Sequence, residues 1–274
     1  MNDTLVIYHA GCQDGFTAAW VVHTAHNAIP LDNFYPANYN EEPPYDQVVD
    51  KHVYLVDFSY PEEPMREIIR LAKTVTVLDH HKTARDNLQP LFDESLIHGT
   101  FDMRRSGAKI TWDWFFEGLA PPHALLNVED RDLWTWKLST TKDVCNGLAL
   151  LSMTFDKWDW AMDHRNYSTL FERGNVVTQI RHQDVESIAK RYEWTNCDGI
   201  AVPIANCPGF LASEVGHALC DKTGAPFSIT YFDDQSKGIR IFSLRSQGDV
   251  DVGEIAKQRG GGGHPGAAGY TRPI

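Results

Sequence analysis

Five side chains that could bind metal ions lie where short, largely apolar segments of the sequence end. They are His9, Asp57 and the triplet Asp79-His80-His81. In an open parallel sheet, ligands bind outside the carboxyl ends of the strands, so we expect these side chains to meet in one crevice. Imidazole and carboxylate groups together suit manganese well, and magnesium less well. The sequence therefore predicts a metal site at the ends of three strands.

The turn after the first of these strands offers two further ligands. Cys12 and Asp14 follow His9 in the segment His9-Ala10-Gly11-Cys12-Gln13-Asp14-Gly15. Taken alone, this pattern fits a tight turn with a capping aspartate and a free thiol equally well, because short motifs recur by chance. Asp57 alone would likewise fit a turn residue, but a carboxylate at that point could bridge two cations.

An acidic segment further along the chain could complete the site. Within Glu129-Asp130-Arg131-Asp132 we expect Asp130 to be a metal ligand, with Asp132 as the alternate. An isolated acidic run is more often a solvated loop. The Asp79-His80-His81 triplet is the stronger signal, because burying three such groups requires metal or hydrogen-bonding partners.

A glycine-rich segment near the end of the sequence predicts an anion site. Residues 260–263 are four glycines, and His264 and Pro265 follow them. Glycines let main-chain amides approach and surround an anion, and an arginine can hold a phosphate with paired hydrogen bonds. For the arginine, a surface salt bridge is the alternative. We expect substrate to be bound by Arg245, Gly261, Gly262, Gly263 and His264.

The order of strand and helix patterns predicts two α/β domains. Strands and helices alternate over the first part of the chain, which indicates βαβ units and a parallel sheet. We predict an N-terminal parallel-sheet domain over residues 1–147, a helical connector over 148–196 and a smaller α/β domain over 197–274. The active site is expected in the cleft between the domains.

Composition excludes several classes of protein. The 274 residues are 42% hydrophobic and 23% charged, which is typical of a soluble globular protein. Neither a signal peptide nor a run of about 18 apolar residues is present, so we predict a cytoplasmic protein without membrane contact. The five scattered cysteines argue against disulfides and a zinc ribbon. The net charge of -12 opposes binding of long nucleic acid, including duplexes, and favours a short phosphorylated substrate.

In this order, the motifs resemble the DHH phosphoesterase superfamily with a C-terminal DHH-associated domain, in particular its nanoRNase and oligoribonuclease-like members. The resemblance spans nearly the whole chain. The residues that carry it are His9-x-x-Cys12-x-Asp14-Gly15, Val56-Asp57, Asp79-His80-His81, Glu129-Asp130-Arg131-Asp132 and Gly260-Gly261-Gly262-Gly263-His264-x-x-Ala267-Ala268-Gly269. Each motif is weak alone, and the ordered set is specific.

The resemblance implies a site for two cations, usually Mn²⁺, with Mg²⁺ or Co²⁺ as alternatives. One ion would be bound by His9 and Asp57, and the other by Asp14, Asp57, His80 and Asp130. Cys12 stands where the family usually has an aspartate, and a thiol is a softer and often protonated ligand. The resemblance therefore leaves Cys12 open as a ligand of the first ion.

The resemblance also implies the catalytic roles. Asp57, Asp79 and His81 would be catalytic, with His81 facing the scissile phosphate and assisting the leaving group. Asp79 would lie behind His80 and fix its orientation. A hydroxide would attack phosphorus in line, and the product would be a nucleoside monophosphate.

The expected function is that of a metal-dependent phosphodiesterase acting on short oligonucleotides or linear dinucleotides. The alternatives are a cyclic-dinucleotide phosphodiesterase, a phosphoadenosine-phosphate phosphatase, and a nucleotide-binding module that has lost turnover through Cys12. Substrate length, base preference, the choice of RNA or DNA, and polarity cannot be read from these motifs. The oligomeric state is also open, a homodimer included.

Overall fold

A five-stranded parallel sheet with helices on both faces organises the first part of the chain. The computed structural model describes residues 3–26 and 29–274, and the chain divides into two units, Met1–Val177 and Thr178–Ile274. The strands of the first unit are β1 (Thr4–His9), β2 (Phe34–Ala37), β3 (His52–Val56), β4 (Thr74–Asp79) and β5 (His98–Phe101). Its helices are α1 (Gln13–Ala25), α2 (Tyr45–Val48), α3 (Glu62–Leu71), α4 (Lys82–Asp93), α5 (Gly107–Phe115), α6 (His123–Asp132), α7 (Thr141–Leu148) and α8 (Phe155–Met162); α9 (Tyr167–Ala189) contains the boundary.

The strand order places a crevice at the carboxyl end of β1. The order is β2-β1-β3-β4-β5, and every pair is parallel. β1 therefore lies between β2 and β3. The winding direction of the sheet reverses between β1 and β3. Ligands bind at such a switch point, outside the carboxyl ends of the strands. The predicted parallel sheet is confirmed.

Apolar side chains on both faces hold this sheet in place. Successive strand residues point to opposite faces, so Val6 joins one core cluster while Leu5 and Ile7 join the other. The first cluster includes Trp158 of α8, which is fully buried and donates its indole N–H to the hydroxyl of Thr17 at 3.0 Å. Trp158 is therefore part of the core.

The second unit is a smaller α/β fold around a six-stranded sheet. Its strands are β6 (Glu193–Cys197), β7 (Ile200–Asn206), β8 (Phe227–Asp234), β9 (Ile239–Ser246), β10 (Gly262–His264) and β11 (Ala267–Pro273), and its helices are α10 (Ala212–Thr223) and α11 (Val252–Lys257). The strand order is β10-β11-β9-β8-β7-β6, with only β7 and β8 parallel. The predicted second α/β unit is confirmed.

Two further expectations can be compared with the structure. All five cysteines are free thiols, as their spacing predicted. In the described part of the chain, every helix is too short or too polar to span a membrane.

Candidate metal centre

Three overlapping groups of potential ligands meet at the carboxyl end of the parallel sheet. The first consists of His9, Cys12 and Asp57, the second of Asp14, His80 and Asp132, and the third of Asp57, Asp79, His80 and His81. Within each group, one ligand atom per residue lies within 4.8 Å of the others. Strand ends supply His9 and Asp57, whereas Asp14 lies in the first turn of α1. The crevice predicted from the strand ends is thus lined with ligands.

Asp57 connects the first group, to which it belongs, with the second group. Its Oδ2 is 3.7 Å from Nδ1 of His9, and its Oδ1 is 3.2 Å from Nε2 of His80. The residue is almost fully buried and has a φ of 53°, a left-handed conformation in which aspartate is enriched among the non-glycine residues. Asp57 therefore lies within reach of both imidazoles, and its predicted role as a bridge between two cations stays a prediction.

The second group is held by the start of α5. Asp14 is buried, and its carboxylate accepts hydrogen bonds from the main-chain N–H groups of Gly107 at 2.6 Å and Ala108 at 3.2 Å. The first N–H groups of a helix have no partner within the helix, so a carboxylate fits there. Nε2 of His80 lies 3.4 Å from Oδ2 of Asp132.

Glycine is required at two of these contacts. A Cβ at Gly107 would lie 2.4 Å from Cβ of Asp57, and one at Gly15 would lie 2.4 Å from the carbonyl oxygen of His9. Gly15 belongs to the predicted motif, whereas Gly107 was not recognised. The serine N-cap at Ser106 marked the helix start but not its approach to Asp57.

Asp79 orients His81 rather than the ring of His80, which corrects the sequence expectation. Its Oδ1 accepts a hydrogen bond from Nδ1 of His81 at 2.7 Å and one from the main-chain N–H of His80 at 2.7 Å. Ser59 donates its hydroxyl to Oδ2 at 2.8 Å. The fully buried Asp79 therefore fixes the His81 ring and reaches His80 only through the main chain.

Asp130 was the wrong choice of ligand in the acidic segment. Its carboxylate accepts hydrogen bonds from the hydroxyls of Thr135 and Thr141 and from the main-chain N–H groups of Lys137 and Leu138. These four donors lie in the segment that follows α6, and their hydrogen bonds satisfy both oxygens of the Asp130 carboxylate. The alternate, Asp132, is the aspartate that belongs to the second ligand group.

The charges in this small buried space strongly perturb one another. Burial and the carboxylates of Asp57 and Asp132 raise the pKa of Asp14 well above its usual range. Burial acts to raise the pKa of Asp57, but the imidazoles of His80 and His9 lower it to about 2. Burial acts to lower the pKa of His80, but Asp57 and Asp132 raise it to about 10. The site thus favours positive charge between its carboxylates.

These residues fit divalent cations. Oδ1 of Asp57 is buried and accepts no hydrogen bond from the described residues. Leaving a buried acceptor unsatisfied costs about 1–3 kcal/mol, and a bound cation would remove that cost. Carboxylate oxygens and imidazole nitrogens form most of the donor set, as manganese requires. Burial and the carboxylates of Asp57 and Asp14 raise the pKa of the Cys12 thiol, so this residue would be the weakest ligand of the set.

An aromatic residue that sequence reasoning missed borders the first group. The ring of Tyr39 lies edge-on to His9, with centroids 5.3 Å apart, and to His81, with centroids 6.1 Å apart. It also packs against Phe58 at 5.0 Å. Tyr39 follows the short strand β2, and nothing in its sequence neighbourhood marked that turn as part of the site.

The glycine-rich candidates of the second unit form an edge strand rather than a loop. Gly262–His264 pairs with Ala267–Pro273. A Cβ at Gly261 would lie 2.0 Å from the carbonyl oxygen of Gly269, and Gly263 has a φ of 144°. Close packing therefore explains two of the glycines, whereas Gly262 faces open space and His264 is exposed.

Arg245 is largely enclosed in the second unit. Its guanidinium donates to the hydroxyl of Ser213, with Nη2 at 2.8 Å, and to the carbonyl of Leu244 at 2.7 Å. Burial lowers the pKa of Arg245, against the opposing effect of Glu214. A surface salt bridge, the alternative weighed from the sequence, is not how this guanidinium is bonded. Substrate binding by these residues stays a prediction.

Comparison with known proteins gives a match to one domain family and to one related sequence. Residues 208–273 match the DHHA1 domain. An uncharacterized protein of Acanthamoeba polyphaga mimivirus is 29% identical over 284 residues, covering 97% of this chain and 67% of that protein.

Two solved structures show the same fold. The pGpG-specific phosphodiesterase PggH of Vibrio cholerae is 14% identical with a TM-score of 0.55, covering 99% of this chain and 94% of that one. RecJ of Thermus thermophilus, in complex with Mn²⁺, is 15% identical with a TM-score of 0.53, covering 98% of this chain and 49% of that one. At these identities the likeness is one of fold.

Proposed function

We propose that this chain, a member of the DHH phosphoesterase superfamily with a C-terminal DHHA1 domain, is a cation-dependent phosphodiesterase that hydrolyses short oligonucleotides or linear dinucleotides to nucleoside monophosphates. The observation that carries this proposal is the position of Asp57, with one oxygen near His9 and the other near His80. A carboxylate with one oxygen near each of two ligand groups suits a pair of cations, which is a common arrangement in enzymes that cleave phosphate esters.

The first ion would be held by His9 and Asp57, with Cys12 as a weak third ligand. The second would be held by Asp14, Asp57, His80 and Asp132. When bound, such ions stabilise the negative charge of a phosphodiester under attack and promote the ionisation of a water molecule. The choice of Mn²⁺ is part of this proposal: the imidazole ligands suit it better than Mg²⁺, whereas Co²⁺ is an alternative that the same ligands would also bind.

His81 is the residue that we assign to the leaving group. Because Nδ1 of His81 donates to Asp79, the other ring nitrogen, Nε2, is the atom that exchanges a proton with substrate. Ser59 holds the second oxygen of Asp79, so the carboxylate and the imidazole keep their orientation. A proton that passes from Nε2 to the leaving oxygen yields an alcohol, while water adds to phosphorus to give a phosphomonoester.

The charge of the chain supports a short substrate. A net charge of -12 repels the extended phosphate backbone of a long strand outside the site. PggH is a pGpG-specific phosphodiesterase, and its fold extends over the whole of this chain. Linear dinucleotides are therefore the first substrates to test, ahead of cyclic dinucleotides and phosphoadenosine phosphate.

The proposal is tested with protein stripped of metal by a chelator and supplied with Mn²⁺, Mg²⁺ or Co²⁺. The panel contains pGpG, a second linear dinucleotide, a cyclic dinucleotide, phosphoadenosine phosphate and a long single strand. Hydrolysis of the linear dinucleotides, dependent on added metal and lost in Asp57→Asn, is the expected result. Asp46→Asn, an exposed aspartate of α2, is the matched control and should keep full activity.

Full activity in excess chelator would contradict the proposal. Binding of pGpG without hydrolysis, under every metal condition, would instead identify a nucleotide-binding module. Preferential hydrolysis of phosphoadenosine phosphate or of a cyclic dinucleotide would replace the substrate class and keep the metal site.

A further inference from the structure

The loop that follows Asp132 carries two tryptophans in an unfavourable backbone conformation. Trp134 has a φ of 55° and Trp136 a φ of 51°. Bulky residues rarely adopt positive φ, because Cβ approaches the carbonyl oxygen. Such residues persist where the surrounding structure imposes the conformation, and they cluster at ligand sites. A pair of them two residues apart calls for an explanation.

Asp130 imposes the conformation of this loop. The carboxylate is 5% exposed and accepts hydrogen bonds from both sides of Trp136, at the hydroxyl of Thr135 and at the main-chain N–H groups of Lys137 and Leu138. Hydrogen bonds to a carboxylate are stronger than those to a neutral acceptor, so these contacts hold the loop firmly. The aspartate that was expected to bind metal instead holds the tryptophan loop.

The two indoles form a surface pair rather than part of the core. Trp134 is 40% exposed, whereas Trp158 is fully buried and Trp112 is 8% exposed. The rings of Trp134 and Trp136 meet edge to face, with centroids 4.7 Å apart and planes at 76°. The ammonium of Lys142 lies 5.5 Å from the centroid of the Trp136 ring. The partly exposed ring of Trp134 is therefore supported by the ring of Trp136 that packs against it.

The pair lies beside the second ligand group. Two peptide units separate Trp134 from Asp132, so their Cα atoms are at most about 7 Å apart. Any nucleotide whose phosphate reaches the ions at Asp132 brings a nucleobase close to this loop. Bases stack on aromatic side chains without regard to sequence, because every base has a flat π face.

We infer that Trp134, supported by Trp136, stacks against a nucleobase next to the scissile phosphate. This inference rests on the proposed function and adds a binding residue to it. It assigns to the acidic segment two separate tasks, since Asp132 holds a cation and Asp130 holds the ring that positions the base. Stacking also predicts that all four bases are accepted.

The test compares a linear dinucleotide with its abasic analogue, which keeps the phosphodiester and lacks the bases. Trp134→Ala should lower kcat/KM on the dinucleotide by about 5- to 150-fold, the range for one stacked base, and Trp134→Phe should restore most of it. On the abasic analogue, wild type and Trp134→Ala should have equal rates. Trp114→Ala removes an indole of similar exposure, 44%, from α5 and should change neither rate.

Trp134→Asn guards against a loss of folding, because asparagine suits the left-handed backbone while lacking the ring. It should behave like Trp134→Ala. Equal losses of rate in the Trp134 variants on both substrates, or an unchanged rate on the dinucleotide, would overturn the stacking role. The proposed function would stand in that case, because wild type hydrolyses the dinucleotide. A wild-type protein that hydrolyses neither substrate with Mn²⁺ would overturn the proposed function, and the stacking role with it.

Discussion

Asp57 connects the ligand groups at the scale of single residues, with one carboxylate oxygen 3.7 Å from His9 and the other 3.2 Å from His80. Its place after an apolar strand, together with the Asp79-His80-His81 triplet after another, was sufficient to predict a shared crevice, because parallel strands present their carboxyl ends at one edge. The structure brings these residues together with His9. What the sequence could not show is that Asp79 bonds the ring of His81, since that depends on side-chain geometry.

The choice between Asp130 and Asp132 lies beyond what the sequence can decide. Residues two positions apart on a helix point in directions about 200° apart, so only one of them can face the sheet. The acidic segment ends α6, and the loop donors that occupy Asp130 follow it in the chain. The hydroxyls of Thr135 and Thr141 could have suggested this arrangement only with the loop conformation known.

Substitutions at these two aspartates should separate their roles. Asp132→Asn is expected to weaken Mn²⁺ binding by at least about tenfold, because a ligand is lost. Asp130→Asn is expected to leave Mn²⁺ affinity unchanged and to reduce the free energy of unfolding by about 1–3 kcal/mol, because buried loop donors lose their acceptor. Isothermal titration calorimetry and thermal unfolding measure the two effects. Weaker Mn²⁺ binding in Asp130→Asn alone would reverse the assignment.

Cys12 offers a second test at this scale. A carboxylate is a harder ligand than a neutral thiol and suits Mn²⁺ and Mg²⁺ better. Cys12→Asp should therefore tighten binding of the ion beside His9, and Cys12→Ser, which also removes the thiol but adds no charge, should not. The measurement is a titration of metal-free protein with Mn²⁺. No gain from the aspartate would show that Cys12 lies outside the coordination sphere.

Among the elements, α5 makes contacts with the site that the sequence did not reveal. The helix begins after Ser106, whose side chain accepts a hydrogen bond from the main-chain N–H of Lys109 and so caps it. Its first N–H groups bind Asp14, and its first residue lies against Asp57. These contacts join residues that are far apart in the chain. Gly107 itself is therefore the one local feature of the sequence that could indicate them.

Gly107→Ala tests this contact between elements. The added Cβ would lie 2.7 Å from Oδ1 of Asp57, so either α5 or the carboxylate must move. We expect hydrolysis of a dinucleotide to fall sharply and stability to fall by about 1–3 kcal/mol, as for overpacked cores. Gly248→Ala, at a position with open space, is the control and should change neither. Unchanged activity in Gly107→Ala would show that the site tolerates displacement of Asp57.

Strands β2, β5 and β10 are difficult to recognise from their own residues. β2 and β5 have four residues each, and Pro36 and Gly99 interrupt them. β10 consists of two glycines and a histidine, and glycine is depleted in strands. Pairing with a neighbouring strand, rather than intrinsic preference, forms these strands. Pairing of that kind cannot be read from a short segment.

At the scale of the whole molecule, charge sets the expected range of substrates. The net charge of -12 repels phosphates that extend beyond the ions. We expect kcat/KM to be highest for strands of two to about five nucleotides, roughly the length that one site contacts. Added salt should narrow the difference between short and long strands, because it screens the repulsion. Faster hydrolysis of long strands at low salt would contradict this expectation and indicate an exonuclease that tracks along a polymer.

The alternation of strands and helices was sufficient to predict two units. It does not indicate at which residue one unit ends and the other begins. Residues 148–196 were expected to form a connector, yet Trp158 and Leu170 belong to the core of the first unit. A helical pattern specifies which face is apolar but not which sheet covers it. The predicted ranges 1–147, 148–196 and 197–274 stay predictions.

The central claim is that one carboxylate, Asp57, is shared by two cations. Calorimetric titration of metal-free protein with Mn²⁺ measures this directly, with Asp46→Asn as the control. Wild type should bind two ions per chain, and Asp57→Asn should lose affinity for both together. Two ions bound with unchanged affinity by Asp57→Asn, or one ion at most bound by wild type at saturating Mn²⁺, would contradict the shared site.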